Sequence, residues 1–293
     1  MNVFTIRDLE NLSGIKAHTI RIWEQRYSFL TPQRTDTNIR YYSNDELKTI
    51  LNIALLNKFG YKISRIDKMS GDEIRDKILS LSHILAQQER IVNELIQCMV
   101  DLDLEEFETI TDNYIKVYGI EKAITQIIFP LLERIGILWM SNHINPAQEH
   151  LISNLIRQKL MVGIESARSS VQVDKTLLLF LPEGEHHELG LLFIYYMLKN
   201  RGIKVLYIGA NAPLKDIAFV AGAKKTDMLY THLTSVAQNF NLEKFLTTLS
   251  SRIDHIPVIV SGHLVQSYKK KLPPNIQLKT SLQEVMDYIA SIS

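Results

Sequence analysis

The chain has 293 residues, 46% of them hydrophobic and 22% charged, and its formal net charge is +1. This length allows two or three domains with buried cores, and the balanced charge means that any attraction to nucleic acid must come from a local patch. The single cysteine, Cys98, excludes a disulfide framework and a cysteine-based zinc site. Since no apolar run approaches membrane-spanning length and no signal-peptide core opens the sequence, we expect a cytoplasmic protein that does not contact a membrane.

Three patterns follow one another along the chain. Residues 1–70 form short, basic segments, and residues 71–168 carry apolar side chains every three or four positions, as in a helical bundle. In residues 174–293, short apolar runs typical of buried strands alternate with amphipathic helices. The predicted fold class is therefore multidomain, α and α/β, ending in a doubly wound parallel sheet of the flavodoxin-like type. Residues 169–174 are the predicted linker before this sheet.

The first part predicts a helix-turn-helix followed by a basic wing. Thr5 is a good N-cap, Ser13-Gly14 ends the first helix, and a second helix begins near Lys16. The segment "LTPQRTDTNIRYY" predicts a wing between two short strands, and Ser43 to Glu46 predict the capping box of the next helix. We expect exposed side chains here to contact phosphates and base edges. The candidate DNA-binding residues are Lys16, His18, Thr19, Arg21, Arg26, Arg34, Arg40 and Tyr41.

The stretch "TIRIWEQRYSFLTPQRT" followed by "IRYYSNDEL" resembles the winged helix of the MerR family of transcription regulators. The resemblance implies binding to double-stranded operator DNA as a homo-oligomer, either a dimer or a tetramer. At the wing tip this chain has Thr37-Asn38 where that family usually has Gly-Gly or Asn-Gly, and Asn38 can take the left-handed conformation that such a turn needs. Taken without the resemblance, the same residues allow a helical protein-interaction module with a basic face.

The loop "PEGEHHELG", residues 182–190, follows the predicted strand "TLLLFL". Ligands of open α/β sheets bind beyond the carboxyl ends of the strands. Glu185, His187 and Gly190 place a carboxylate, an imidazole and a glycine there. The carboxylate can hold one ring nitrogen while the other binds a metal, and the glycine lets a bulky ligand approach the backbone. One imidazole is too few for a metal cage made by protein alone, so the pattern favours a metal already held by an organic ring.

This spacing resembles the Asp/Glu-x-His-x-x-Gly signature of cobalamin-binding domains. The resemblance implies that His187 replaces the benzimidazole of the cofactor as lower cobalt ligand, that Glu185 supports His187, and that the displaced nucleotide tail enters the sheet domain. The residues at the positions where that family binds the tail are Thr234, Ser235, Ser261 and Gly262. The family usually has glycine at the position of Ser261. The Cβ and hydroxyl of Ser261 therefore lie where the resemblance places the tail.

The middle part carries Trp139 and, after nine intervening residues, Glu149 and His150. Asn145 and Pro146 predict the N-cap and first residue of the helix that holds the latter two. The arrangement resembles the upper-face bundle of CarH-type light-sensing regulators, which join a MerR domain to adenosylcobalamin. The resemblance implies that Trp139 packs over the adenosyl group and that Glu149 lies beside it. It also implies that His150 takes the upper cobalt position after light has cleaved the cobalt–carbon bond.

We therefore predict a transcriptional regulator, a repressor by its resemblance, that senses light or cobalamin through bound adenosylcobalamin or another cobalamin. The ligand state is expected to control oligomerisation and operator binding. An enzyme such as a methyltransferase or mutase is not expected, because the remaining length leaves no room for the substrate domain, typically a barrel. Ser261 and the altered wing keep one alternative open: a MerR-type regulator whose cobalamin-like module has lost the cofactor and serves as an oligomerisation or protein-interaction unit.

Overall fold

The computed structural model describes residues 3–140, 145–235, 240–253 and 255–292, with the side chains of residues 137–140 excluded. Met1–Leu155 and Ile156–Ser293 form two compact units. Among the described residues, no helix is both long and apolar enough to cross a membrane.

The first unit begins with the predicted helix-turn-helix. Helix α1 spans Ile6–Ser13 and helix α2 spans Ala17–Arg26. The N–H of Thr5 donates to the carboxylate of Asp8 at 2.6 Å, and the Thr5 hydroxyl accepts from the N–H of Asp8, which makes a capping box. Gly14 ends α1 in the left-handed region with a φ of +74°. The buried side chains between the two helices are Leu9, Leu12, Ile20 and Trp23.

The predicted wing is present and follows α2. Strand β1, Gln33–Arg34, pairs antiparallel with strand β2, Arg40–Tyr41. Asn38 lies at the tip with a φ of +64°, so it adopts the left-handed conformation expected of a residue that stands in for glycine. Its side-chain oxygen accepts a hydrogen bond of 2.6 Å from the guanidinium of Arg34. The turn is thus closed by a side chain as well as by the backbone.

The part of the chain between the wing and the sheet is helical, as predicted. Its helices are α3 Asn44–Lys58, α4 Ile63–Ile66, α5 Gly71–Leu79, α6 Ile84–Asp101, α7 Leu104–Tyr118, α8 Ile120–Ala123, α9 Phe129–Met140 and α10 Pro146–Ser166. A π-helical turn, Ile124–Ile128, joins α8 to α9. Helix α3 begins with the predicted capping box of Ser43 and Glu46. The boundary between the two units falls within α10.

Buried polar side chains connect α6 to its neighbours in the first unit. The side-chain amide of Asn93 donates to the carbonyl of Leu51 in α3 at 3.4 Å, and its oxygen accepts from Arg134 of α9 at 2.7 Å. Gln148, in the first turn of α10, donates to two carbonyl oxygens at the end of α6, each at 3.1 Å. A buried polar group costs free energy unless it is hydrogen-bonded. These contacts therefore restrict how α3, α9 and α10 can pack on α6.

The second unit contains a five-stranded parallel sheet. Its strands are β3 Val173–Pro182, β4 Ile203–Ala212, β5 Met228–His232, β6 Val258–Ser261 and β7 Ile276–Lys279, and its helices after α10 are α11 Leu189–Asn200, α12 Leu214–Ala223, α13 Leu242–Arg252 and α14 Leu282–Ile292. The strand order is β4-β3-β5-β6-β7, and all neighbours are parallel. This is the doubly wound order of the flavodoxin-like fold, with its topological switch point between β3 and β5. The predicted fold class is confirmed.

Two details of the sheet differ from the sequence prediction. Strand β3 begins at Val173, so the last two residues of the predicted linker belong to the strand. The N–H of Val173 donates to the carbonyl of Gly202 at 3.0 Å, which extends the pairing of β3 and β4 towards the N-terminal end of β3. Strand β7 was not predicted, because its four residues alternate between polar and apolar types, whereas the central strands are continuous apolar runs.

The turn at Gly202 provides a test of this packing. Gly202 has a φ of +80°, and a Cβ at this position would lie 1.8 Å from the carbonyl oxygen of Val171. We expect Gly202→Ala to lower the free energy of unfolding by more than about 1 kcal/mol, measured by chemical denaturation. Gly222→Ala in α12 is the matched control, since nothing lies within 4 Å of its Cβ position. The control should be neutral or stabilise by up to about 1 kcal/mol. Equal stability of the Gly202→Ala variant and the parent would contradict this packing.

Candidate DNA-binding face and ligand site

The outward face of α2 carries most of the predicted DNA-binding residues. Lys16, His18, Arg21 and Arg26 are exposed, and Thr19 is half-buried. The ammonium of Lys16 lies 3.1 Å from the carboxylate of Glu10, and the Lys16 side chain is still 71% exposed. Such an exposed pair contributes little to stability and leaves the cation accessible to another anion. The helix therefore presents a basic surface of the kind that contacts a phosphate backbone.

Glu24 of α2 connects this helix to the wing. Its carboxylate accepts from Nε of Arg40 at 2.8 Å and from the hydroxyl of Tyr42. The Glu24 side chain is 8% exposed and that of Arg40 is 25% exposed. Burial and the hydrogen bond to Glu24 raise the pKa of Tyr42 well above its ordinary value, so the phenol stays protonated as the donor. Sequence reasoning missed Glu24 and Tyr42, although a lone acidic residue on a basic helix was a usable signal.

The remaining wing residues are held more loosely. Arg34 is exposed and donates to Asn38 of the same wing. Tyr41 is half-buried, and its hydroxyl donates to the side chain of Gln33 at 2.6 Å across the two strands. Among the predicted DNA contacts, Arg40 thus differs from Arg34 because it also fixes the wing to α2.

The loop after β3 meets the loop after β5 at the switch point of the sheet. Glu185 lies between them and is fully buried. One carboxylate oxygen accepts from the N–H groups of His186 and His187, each at 2.9 Å, and from Nδ1 of the His187 ring at 2.7 Å. The other oxygen accepts from the N–H groups of Thr234 at 2.7 Å and Ser235 at 2.8 Å. One side chain therefore joins four of the predicted site positions: its own and those of His187, Thr234 and Ser235.

The electrostatics of Glu185 follow from these contacts. Burial disfavours its charged form, but the hydrogen bonds from the His187 ring and from three backbone N–H groups outweigh burial and hold the pKa of Glu185 below its ordinary value. The ionised carboxylate places the ring proton of His187 on Nδ1 and fixes the orientation of the imidazole. The His187 side chain is 57% exposed. The predicted contact between carboxylate and imidazole is present, and the role of His187 as a metal ligand stays a prediction.

His232, the last residue of β5, lies beside this pair and was not predicted. Its Nδ1 is 2.8 Å from the hydroxyl oxygen of Ser261 at the end of β6, which is 2.7 Å from the hydroxyl of Tyr230. Ser261 and Tyr230 are each 1% exposed. Burial lowers the pKa of His232 to about 4, with the charge of Glu185 opposing this shift, so the ring is neutral at pH 7.

The two predicted site glycines have close neighbours. A Cβ at Gly190 would lie 2.6 Å from Cδ2 and from Nε2 of His232. A Cβ at Gly262, whose φ is +107°, would lie 2.3 Å from the carbonyl oxygen of Leu233. The space beside Gly190, which the sequence predicted for a ligand, therefore holds the His232 ring. Gly262 allows β5 and β6 to end in direct contact.

Helix α10 reaches the same loop within the second unit. The guanidinium of Arg157 lies 3.0 Å from one carboxylate oxygen of Glu188, and the other oxygen accepts from the hydroxyl of Tyr207 in β4 at 3.0 Å. Glu188 directly follows His187. The C-terminal half of α10 is thus tied to the loop that carries the candidate ligand, a connection that sequence reasoning did not identify.

The predicted bundle residues lie on α9 and α10 of the first unit. Trp139 falls within α9, but its side chain lies outside the described residues. Asn145 caps α10 as predicted, which places Glu149 and His150 in its early turns. A carboxylate oxygen of Glu149 lies 3.1 Å from Nδ1 of His150, and the Glu149 carboxylate also accepts from the hydroxyl of Ser153. The His150 side chain is 69% exposed and that of Glu149 is 25% exposed.

Comparison with known proteins agrees with this architecture. Residues 4–71 match the model of the MerR HTH family regulatory protein, and residues 91–162 match the model of a B12 binding domain. The HTH-type transcriptional repressor CarA of Myxococcus xanthus is 30% identical over 260 residues, which cover 88% of this chain and 85% of CarA. The repressor CarH of the same organism is 26% identical over 273 residues, which cover 91% of each chain.

A solved structure shows the same fold at lower identity. The monomethylamine corrinoid protein of Methanosarcina barkeri superimposes with a TM-score of 0.53 at 12% identity, covering 70% of this chain and 100% of that one. A MerR winged helix joined to a B12-binding module defines a DNA-binding transcription regulator, rather than one of the cobalamin-dependent enzymes. The chain belongs to the family of MerR-type regulators that includes CarA and CarH.

The basic face of α2 generates a prediction about DNA. Arg21→Ala should weaken binding to an operator duplex selected from random sequence with the parent protein, and should lower the slope of log affinity against log salt by about 1. Arg252→Ala, an exposed arginine of α13, is the matched control and should leave both quantities unchanged. Fluorescence anisotropy at several salt concentrations measures them. An Arg21→Ala variant with the affinity and slope of the parent would remove this residue from the interface.

Proposed function

We propose that this chain is a transcriptional repressor that senses light or cobalamin through bound adenosylcobalamin. The observation that carries the proposal is the buried Glu185 carboxylate that orients the exposed imidazole of His187 at the switch point of the sheet. The family of the chain supports it, since CarA and CarH are repressors and residues 91–162 match a B12 binding domain.

The residues at the switch point include a side chain that fits the role of lower cobalt ligand. His187 would bind cobalt through Nε2, because Nδ1 is hydrogen-bonded to Glu185. A carboxylate partner raises the basicity of the ligating nitrogen and holds the ring in one orientation. Adenosylcobalamin bound here would supply a cobalt–carbon bond that light can break. The upper-face roles of Trp139, Glu149 and His150 rest on the resemblance of the sequence to CarH-type regulators.

The winged helix would convert the ligand state into a change in operator binding. We propose that it binds double-stranded operator DNA as part of a homo-oligomer, in which two linked winged helices bind adjacent sites more tightly than one. The ligand state would shift the population between an assembled, DNA-binding form and a dissociated form. His150, at the start of α10, would ligate cobalt only after the upper ligand has left.

One observation favours a second candidate function. The His232 ring occupies the space beside Gly190, where a ligand was expected, and its Nδ1 lies 2.8 Å from the hydroxyl oxygen of Ser261, one of the expected tail positions. A module that has lost its cofactor would show such a filled space and would serve as an oligomerisation or protein-interaction unit. Purified protein that stays colourless after incubation with adenosylcobalamin in the dark would support this second function.

The lower ligand can be tested by spectroscopy. After incubation with adenosylcobalamin in the dark, the His187→Ala variant should lose the cofactor on desalting or should hold it with the benzimidazole still on cobalt. Glu185→Gln should weaken binding by about tenfold to a hundredfold, the usual effect of losing a ligand's carboxylate partner. His186→Ala is the control, because His186 is exposed and contributes only its backbone N–H to Glu185. An unchanged spectrum and affinity for His187→Ala would exclude His187 as a ligand.

The upper face can be tested by comparing dark and illuminated protein. Trp139 packs over the adenosyl group in the arrangement that the resemblance implies, so Trp139→Ala should weaken the dark complex, by about 3–5 kcal/mol for a fully buried side chain. His150→Ala should bind adenosylcobalamin and DNA in the dark like the parent, but its photoproduct should be less stable. Size-exclusion chromatography before and after green light follows the assembly, and absorption spectra follow the cobalt. If the loaded parent keeps its size and DNA affinity after full photolysis, the light switch is disproved.

A further inference from the structure

In the second unit, the ring of His232 at the end of β5 contacts Gly190, at the start of α11, and Ser261, at the end of β6. We call the space that this ring occupies the strand-end crevice. The ring approaches so closely that a Cβ at Gly190 would lie 2.6 Å from two of its atoms. Gly190 therefore provides the room that this imidazole needs.

Hydrogen bonds and packing hold the His232 ring in the crevice. Its Nδ1 lies 2.8 Å from the Ser261 hydroxyl oxygen, which in turn lies 2.7 Å from the Tyr230 hydroxyl. Ser261 and Tyr230 are both buried. If the ring rotated, the Ser261 hydroxyl would lose its hydrogen bond to His232, and no water could replace it. The backbone after β5 is fixed as well, because Glu185 accepts from the N–H groups of Thr234 and Ser235.

The crevice lies where a ligand bound through His187 would place its lower tail. Ligands of doubly wound sheets bind at the switch point, here between β3 and β5. Glu185 follows β3, and His232 is the last residue of β5. A nucleotide tail carries a bicyclic base that is larger than an imidazole. The tail and the His232 ring cannot both occupy the crevice, because protein interiors are close-packed and added groups force neighbours to move.

We propose that His232 determines ligand specificity by closing the strand-end crevice to a nucleotide tail. The ligand class that fits is a corrinoid whose lower side chain carries no nucleotide, such as cobinamide. This inference rests on the part of the proposed function in which His187 binds the cobalt of a corrinoid, and it replaces the preferred ligand, a cobalamin, by a corrinoid that lacks the nucleotide tail. A corrinoid without a nucleotide also has no internal base that competes with His187 for cobalt.

Titration of the full-length protein in the dark with cobinamide and with hydroxocobalamin, followed by absorbance, tests the proposal. The parent should bind cobinamide about tenfold or more tightly than hydroxocobalamin, given the usual cost of overfilling a packed site. His232→Ser should remove or reverse this preference, because it empties the crevice. Ser261→Gly is a second variant, which removes the partner of the ring and should also reduce the preference. The ratio of two affinities in one protein does not depend on the folded fraction.

His186→Ser is the matched control, since it makes the same substitution at an exposed position of the neighbouring loop and should keep the preference of the parent. A parent that prefers hydroxocobalamin, together with a His232→Ser variant that has the same preference, overturns the role of His232 while the proposed function stands. If the parent and both crevice variants bind neither corrinoid, and the parent also stays colourless with adenosylcobalamin in the dark, the proposed function is overturned and this inference with it. If His187→Ala binds neither corrinoid and His232→Ser lacks the preference of the parent, the proposed function and the role of His232 are both supported.

Discussion

The buried carboxylate of Glu185 accepts hydrogen bonds from both loops at the switch point of the sheet. Taking an ion out of water costs several kcal/mol unless polar partners replace the water. The two loops must therefore adopt a conformation in which their N–H groups point at one side chain. That constraint sets the path of the chain after β3 and after β5, and it fixes the orientation of the His187 ring.

In the first unit, a nearly buried carboxylate likewise holds a loop in place, in this case the wing. Glu24 is nearly buried and accepts from Arg40 and Tyr42, so the wing cannot move away from α2 without leaving a carboxylate unpaired. Glu188 repeats the pattern by accepting from Tyr207 while it pairs with Arg157. In each case a loop that is exposed at its tip is anchored by an acidic side chain at its base. The rigid base allows the tip to present charged or ligating groups in one geometry.

Local chemistry made much of the fold predictable. Capping residues such as Thr5 and Asn145, the turn residue Asn38, and the apolar runs of the central strands act through neighbours in sequence, so their patterns can be recognised directly. The His232 contacts were not predictable in this way, because they depend on β5 lying between β3 and β6. Glu24 meets Arg40 only after the wing has folded back. The partners of residues that act across strands or loops therefore become visible only in the folded structure.

The switch point combines two features that have different consequences for a ligand. A unit used only for protein contacts would gain little from a buried carboxylate that orients an exposed imidazole, since apolar packing of the same volume is often equally stable or better. The Glu185–His187 pair thus favours a ligand role for this edge of the sheet. The His232 ring, held by Ser261, restricts the shape of that ligand rather than its coordination chemistry. In the proposed site, coordination by His187 and tail recognition by His232 would depend on different side chains, so a substitution of one need not change the function of the other.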